Sequence, residues 1–242
     1  HFKTFFNSYY FLRVVRNTLL INLYDLIFGF PAPIIFALLL NEVRNDLFKR
    51  SIQTVTYIPH FISVIVICGM IVDFLSKKGL VNNIIEFFGG NAISFLIEPK
   101  WFRTIYVGSG IWQNLGWGSI VYLSALTGIN PNLYEAARID GAGRFKQVIH
   151  VTLPGIAPTI IILLILRIGN MMSLGFEKII LLYNPNTYET ADVISSFVYR
   201  KGLLEMNYSY SSAVGLFNSV VNFILLISAN KLSRMLSETS LW

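Results

Sequence analysis

The chain has 242 residues, of which 54% are hydrophobic and only 13% are charged, about half the roughly 25% usual in soluble domains. Nineteen basic and 13 acidic side chains are too few to cover a soluble surface of this size, and disorder is excluded because it needs low hydrophobicity and high charge. The net charge of +6 is spread between apolar runs rather than gathered with stacking aromatics, which argues against nucleic acid and for contact with anionic lipid.

Taken in chain order, residues 1–16 are aromatic and basic, as in a helix lying at a membrane interface. Long apolar runs then predict five spans, at about 17–41, 51–75, 104–127, 155–182 and 206–230. Each reaches the roughly 20 helical residues that cross a hydrocarbon core. None shows the short alternating stretches of a β-barrel. The fold class is therefore all-α, a single polytopic membrane helix bundle over 1–242 with polar connections at 76–103, 128–154 and 183–205. Cys68 is the single cysteine, so no intrachain disulfide forms.

Several spans are interrupted. Pro31 and Pro33 predict a kink in the first, and Tyr57-Ile58-Pro59-His60 one in the second, because proline removes a helix donor and clashes with the preceding turn. Gly108, Gly110, Gly116 and Gly118 in the third allow close helix approach. Asn22, Gln113, Asn114, Asn170, Asn218 and Asn222 would be costly against lipid and should point inward. Asp25 and Arg167 are intramembrane charges of opposite sign that can pair across the first and fourth spans or serve the substrate. Glu177 and Lys178, near the end of the fourth span, either gate a cavity or snorkel to the interface. Lysines and arginines divide almost evenly between the two sides, so charge leaves the orientation open.

The loop at 128–154 is the most informative stretch. Asn130 is a good N-cap, Pro131 suits the first helical position, and Gly141 is placed to end a short charged helix. A second amphipathic segment runs from Arg144 to Thr152. Glu135-Ala136-Ala137, then Gly141-Ala142, then Leu153-Pro154 resembles the EAA motif of permease subunits of binding-protein-dependent ABC importers. Tyr57–Ser63 and the run from Gly175 to Leu203 are similar to the oligosaccharide and polysaccharide branch of the carbohydrate importers. The resemblance covers nearly the whole chain.

The resemblance implies a type I ABC importer permease fold with a cytoplasmic coupling helix. Glu135, Ala136, Ala137, Asp140, Gly141, Ala142, Leu153 and Pro154 would then dock on a separate ATP-binding subunit. It implies a second permease subunit, two ATPase subunits that bind the ATP and Mg, an extracytoplasmic sugar-binding protein, and a bacterial cytoplasmic membrane location. It also implies a sixth span preceding His1, and external loops at 76–103 and 183–205, the latter docking the binding protein or capping the cavity. Within the first of these, Ile84–Phe88 suggests a short interfacial helix.

No phosphate loop, zinc-protease motif or nucleophile elbow is present, so the chain reads as a transport subunit rather than an enzyme, with no cofactor or metal of its own. His1, His60 and His150 are far apart in sequence and read as structural. For a sugar, Trp112 and Trp117 offer aromatic faces, and Gln113, Asn114 and Asn170 offer amides, although helix packing and belt tryptophans explain the same residues. Trp112 and Asn114, two apart, cannot share a helix face. The alternative is an ion-coupled secondary transporter of a polar solute, with Asp25 and Arg167 as a relay, but neither inverted repeats nor paired broken helices are evident.

Overall fold

The computed structural model describes residues 1–236 and 239–241, and among these there are helices and loops but no strand. Helix α1 (Phe2–Phe6) is short, and its Phe5 is fully buried among the rings of Phe197, Tyr210 and Phe217. Helices α2 (Phe11–Tyr24) and α3 (Pro31–Glu42), with a π-helical turn at Asp25–Gly29 between them, make one continuous helix from Phe11 to Glu42. This corrects the interfacial segment expected at 1–16. Phe11–Arg16 are the first turns of the long helix, because Val14 is fully buried and Arg13 is ion-paired with Asp192 at 3.1 Å, contacts a surface-lying segment could not make. The prolines do not break the helix. Pro31 follows directly on the π turn, in which the Phe30 N–H donates to the Asp25 carbonyl at 2.9 Å, and such a widened turn accommodates the missing donor.

Helix α4 (Asp46–Tyr57) begins at Asn45, whose side chain accepts from the Phe48 N–H at 3.0 Å. It ends in a 3₁₀ turn at Ile58–Phe61 holding Pro59, and Ser63 then caps α5 (Val64–Leu75). The α4 and α5 arms meet at 100°, so 51–75 is a bent pair rather than a straight rod. A loop leads to α6 (Leu80–Phe87), where fully buried Asn82 bonds the carbonyls of Ser76 and Ile93 and the Ile93 N–H, closing the loop on itself.

Helix α7 (Pro99–Thr127) is the central element. It packs along α3, with Tyr122 and Leu126 joining Ile34 and Ala37 in one core cluster. At Gly116 it lies so close to α4 that a Cβ would collide with the Thr56 carbonyl. The polar end carries α8 (Pro131–Ile139) and α9 (Arg144–Gln147), after which a π turn at Val148–Thr152 leads into α10 (Leu153–Gly169). The segment 144–152 is thus the first part of one helix running from Arg144 to Gly169.

The fourth span expected at 155–182 is not continuous. Helix α10 stops at Gly169 and α11 (Phe176–Leu182) begins after a break at 170–175. The reason lies 50 residues away, where Asn222 accepts from the Met172 N–H at 2.9 Å and donates to the Ser173 hydroxyl at 2.8 Å. These bonds satisfy backbone and side-chain groups that a continuous helix would have paired internally. Helices α12 (Tyr188–Ala191) and α13 (Ile194–Tyr199) follow, then a π turn at Arg200–Leu204, and α14 (Tyr208–Leu236) completes the bundle.

By length and apolarity, three described helices can cross a membrane: Phe11–Glu42, Arg144–Gly169 and Tyr208–Met235, with the bent pair α4–α5 as a fourth. Helix α7 is long enough, at 29 residues, but its glycines and amides dilute its hydropathy. Large apolar side chains such as Leu39, Ile65 and Phe223 are exposed on the outside of the bundle, as lipid-facing residues are. The starts of α2, α7 and α14 gather with residues 183–205 at one end, and α8 marks the other.

Candidate functional site: a polar cavity and two unlike ends

A cavity of about 630 Å³ opens in the middle of the bundle. Its first wall is one face of α7, where Tyr106, Gly110, Gln113, Asn114 and Gly118 recur at helical spacing. Opposite stand Asp25 and Gly29 from the π turn, Arg167 and Asn170 from the end of α10, and Lys178 from α11.

Asp25 and Arg167 form a direct ion pair, joining the first and fourth predicted spans. Both remain partly open to the cavity, so the pair is a polar but electrically neutral part of its lining. A Cβ at position 29 would collide with the Asp25 carboxylate, so the π turn needs its glycine to let the side chain lie back along the helix. Lys178 is held differently. Its Nζ donates to the Tyr106 carbonyl at 3.0 Å and lies 4.9 Å from the centre of the Tyr106 ring.

The residues singled out for sugar recognition separate into two groups. Gln113, Asn114 and Asn170 line the cavity. Trp112 and Trp117 do not, which corrects their placement with the amides. Trp117 instead stacks on His60, with ring centroids 4.6 Å apart and planes within 3°, while His60 Nδ1 lies 3.0 Å from Asn114 Oδ1. His60 therefore links the bend between α4 and α5 to α7. Glu177 is exposed and lies off the cavity, whereas its neighbour Lys178 is in it.

At the end opposite α8 sits a cluster that sequence reasoning missed. Asp192 is fully buried and accepts both guanidinium N–H groups of Arg200 at 2.7 and 2.8 Å, one from Arg13 at 3.1 Å, and the Ser196 hydroxyl at 2.8 Å. Burial works to lower the Arg200 pKa, but the hydrogen bonds and charge of Asp192 outweigh it and push the value up. Buried Asn17 donates to the carbonyls of Glu189 and Asp192 and accepts from Arg103, and the Ile194 N–H donates to Thr18. One carboxylate with two arginines thus ties α2 to residues 188–200. The sequence signal was faint: Asp192 sits near a second acid, Glu189, and one of its two arginines, Arg13, lies 179 residues away.

The α8 end is built in the opposite manner. Asn130 accepts from the Asn132 N–H at 3.0 Å and starts the helix. Gly141, at φ +77°, reverses the chain, so that the Ala142 N–H reaches the Ala137 carbonyl at 2.8 Å and closes it. Gln147 donates to the Ala142 carbonyl at 2.7 Å, and the Tyr134 and Thr152 hydroxyls meet at 3.1 Å. These bonds make α8 and the start of α10 one piece. Its outer surface is uncovered: Glu135, Ala136, Asp140 and Pro154 are exposed, Leu133 is 52% exposed, Phe145 77% and Ile139 88%, while Ala137, Ala142 and Leu153 are half-buried beneath them.

A lipid-facing helix bundle enclosing a mostly apolar cavity set with a few charged and amide side chains, with a rigid and uncovered segment at one end, is the architecture of a membrane transport subunit. Residues 29–238 match the family model described as the binding-protein-dependent transport system inner membrane component, and the chain belongs to that family. It is 47% identical to Protein LplB of Bacillus subtilis (strain 168), covering all of this chain and 76% of that protein. It is 44% identical, with the same coverage, to the polygalacturonan/rhamnogalacturonan transport system permease protein YteP of the same organism. A chain in the crystal structure of the bacterial alginate ABC transporter in complex with alginate pentasaccharide-bound periplasmic protein superposes with a TM-score of 0.96 at 47% identity, covering 100% of this chain and 84% of that one. The protein is accordingly a multi-pass membrane permease of the ABC importer type.

Proposed function

We propose that the chain carries an oligosaccharide or polysaccharide through the central cavity as one of two permease subunits in an ATP-driven importer. The similarity to YteP and to the alginate transporter chain supports the saccharide. On this reading an extracytoplasmic sugar-binding protein delivers the substrate to the end formed by residues 183–205. Two separate ATPase subunits bind ATP and Mg and meet the opposite, cytoplasmic end. Glu135, Ala136, Ala137, Asp140, Gly141, Ala142, Leu153 and Pro154 form the coupling surface. Gln113, Asn114 and Asn170 serve the sugar hydroxyls, while the Asp25–Arg167 pair braces the cavity wall.

The observation that carries the coupling role is the combination of internal rigidity and external exposure in α8. A lever must move as one piece and must present a surface to what pushes it. The Gly141 turn and the Tyr134–Thr152 contact supply the first, and exposed Glu135, Leu133 and Ile139 supply the second. Closure of the ATPase pair would then tilt α10 and the cavity wall that it carries.

The test is reconstitution of the complete transporter with Glu135→Ala or Gly141→Ala. Each is expected to cut ATP-driven saccharide uptake about tenfold or more, as loss of a charge-assisted contact or strain at a positive φ implies, with the complex still assembled. Full uptake by both variants would remove the coupling role. Failure of an ATP-hydrolysing subunit to co-purify with the chain would remove the ATP-driven reading itself.

A further inference from the structure

His60 is held in place at the bend between α4 and α5. Its ring lies flat on Trp117, and the Phe61 ring meets Trp117 edge-on at 5.5 Å. Pro59, just before it, is buried, which anchors the turn that carries the imidazole. At the edge of the ring, Nδ1 lies 3.0 Å from Asn114 Oδ1. Stack and hydrogen bond thus reach α7 at positions 117 and 114, about one turn apart on the same side of the helix.

The direction of that bond follows from the other end of the amide. Asn114 Nδ2 donates to the Gly110 carbonyl at 3.0 Å, and a carbonyl can only accept. Turning the amide over would set two oxygens against each other there, so Oδ1 is the atom that faces His60. An amide oxygen carries no hydrogen, and the proton in the contact therefore belongs to His60 Nδ1. Asn114 keeps its second N–H for the cavity that it lines. Resting on the saccharide reading above, we infer that His60 is a positioning residue for transport: its Nδ1–H locks the Asn114 amide so that an N–H, and not the oxygen, is presented to a sugar oxygen. His60 itself does not line the cavity, so it acts through Asn114 rather than on the sugar.

The experiment uses the complete transporter in proteoliposomes with excess binding protein loaded with a galacturonate trisaccharide, a fragment of the polymer named for the relative YteP. His60→Phe keeps an aromatic face for Trp117 and loses Nδ1. His60→Asn loses the ring but puts an amide N–H close to the place of Nδ1. Uptake should fall about fivefold in His60→Phe, the worth of one hydrogen bond, and stay within about twofold of the parent in His60→Asn. Asn114→Ala should match His60→Phe, and combining the two should cost nothing further, as for residues that act through one contact. Assembly, and ATP hydrolysis stimulated by the loaded binding protein, should hold in every variant. Full uptake in His60→Phe, equal losses in His60→Phe and His60→Asn, or losses that multiply in the double variant would overturn the positioning role. Loss of assembly or of stimulated hydrolysis would overturn it too, by revealing a purely structural histidine. Nitrogen NMR of the histidine-labelled complex, with the His60 signal identified by its absence from His60→Asn, should show a protonated Nδ1, and a bare Nδ1 would overturn the direction of the bond while leaving the importer standing. No uptake by the parent complex would instead overturn the saccharide reading, and the positioning role with it.

Discussion

The two ends of the molecule are made by opposite means. At one, the Asp192 carboxylate is wholly buried and satisfied by Arg13, Arg200 and Ser196, all from its own chain. At the other, α8 holds itself in shape with a cap, a glycine turn and one hydroxyl contact, and leaves Ile139 and Phe145 in the open. At the first end the charged cluster is satisfied within the chain even though Leu203, Leu204 and Met206 beside it are exposed; at the second the whole outer face of the short helix is uncovered. Stability and coupling should accordingly map to different ends, and substitutions can test whether they do.

The largest effect is expected at Asp192. Asp192→Ala leaves two guanidinium groups around an emptied buried site, a loss of about 3–5 kcal/mol that should appear as a marked fall in the thermal midpoint of the purified complex in detergent. A midpoint close to the parent's would show that the clasp is not what holds this end. Next comes Asn222→Ala, which strips the break at 170–175 of its two bonds and should cost about 1–2 kcal/mol by the same measurement. Tyr134→Phe removes the hydroxyl contact with Thr152 and should cost about 1 kcal/mol or less. Smallest of all, Glu135→Ala should change stability by no more than about 0.5 kcal/mol, being exposed, even though it is expected to impair uptake. A large destabilisation there would erase the contrast between the two ends.

The class of fold was legible because hydrocarbon imposes a harsh rule on composition: long charge-free runs must be helices, and few alternatives survive. The α8 segment was legible because its signals are local. Asn130, Pro131 and Gly141 act within a few residues of themselves, and the structure uses each of them. What could not be read was anything decided at a distance. The break after Gly169 is held open by Asn222 on another helix, and the local hints, Gly169-Asn170 and Gly175, do not by themselves separate a break from a tolerated glycine. Which face of α7 meets the cavity is set by packing against α3 and α4. That packing kept Asn114 in the lining and turned Trp117 toward His60. The Asp25–Arg167 pair was foreseeable because two isolated intramembrane charges of opposite sign have few other partners. The Asp192 cluster was not, since its arginines lie 179 and 8 residues away in opposite directions.

The π turn at Asp25–Gly29 has a further consequence. A helix advances about 100° per residue, and a π turn amounts to one residue more than a regular helix needs. The helix from Phe11 to Glu42 is therefore two rods with a phase offset between them. Upstream, that phase aims Asn17 and Thr18 at residues 189–194; downstream, it aims Ile34 and Ala37 at α7, with Asp25 at the joint facing Arg167. Deleting one residue from Leu26–Phe28 would restore an unbroken α-helix and set the two halves against each other by roughly a quarter turn. Either the clasp or the cavity wall would then lose its contacts. The reading frame of a single helix is thus what keeps both ends of this permease in register.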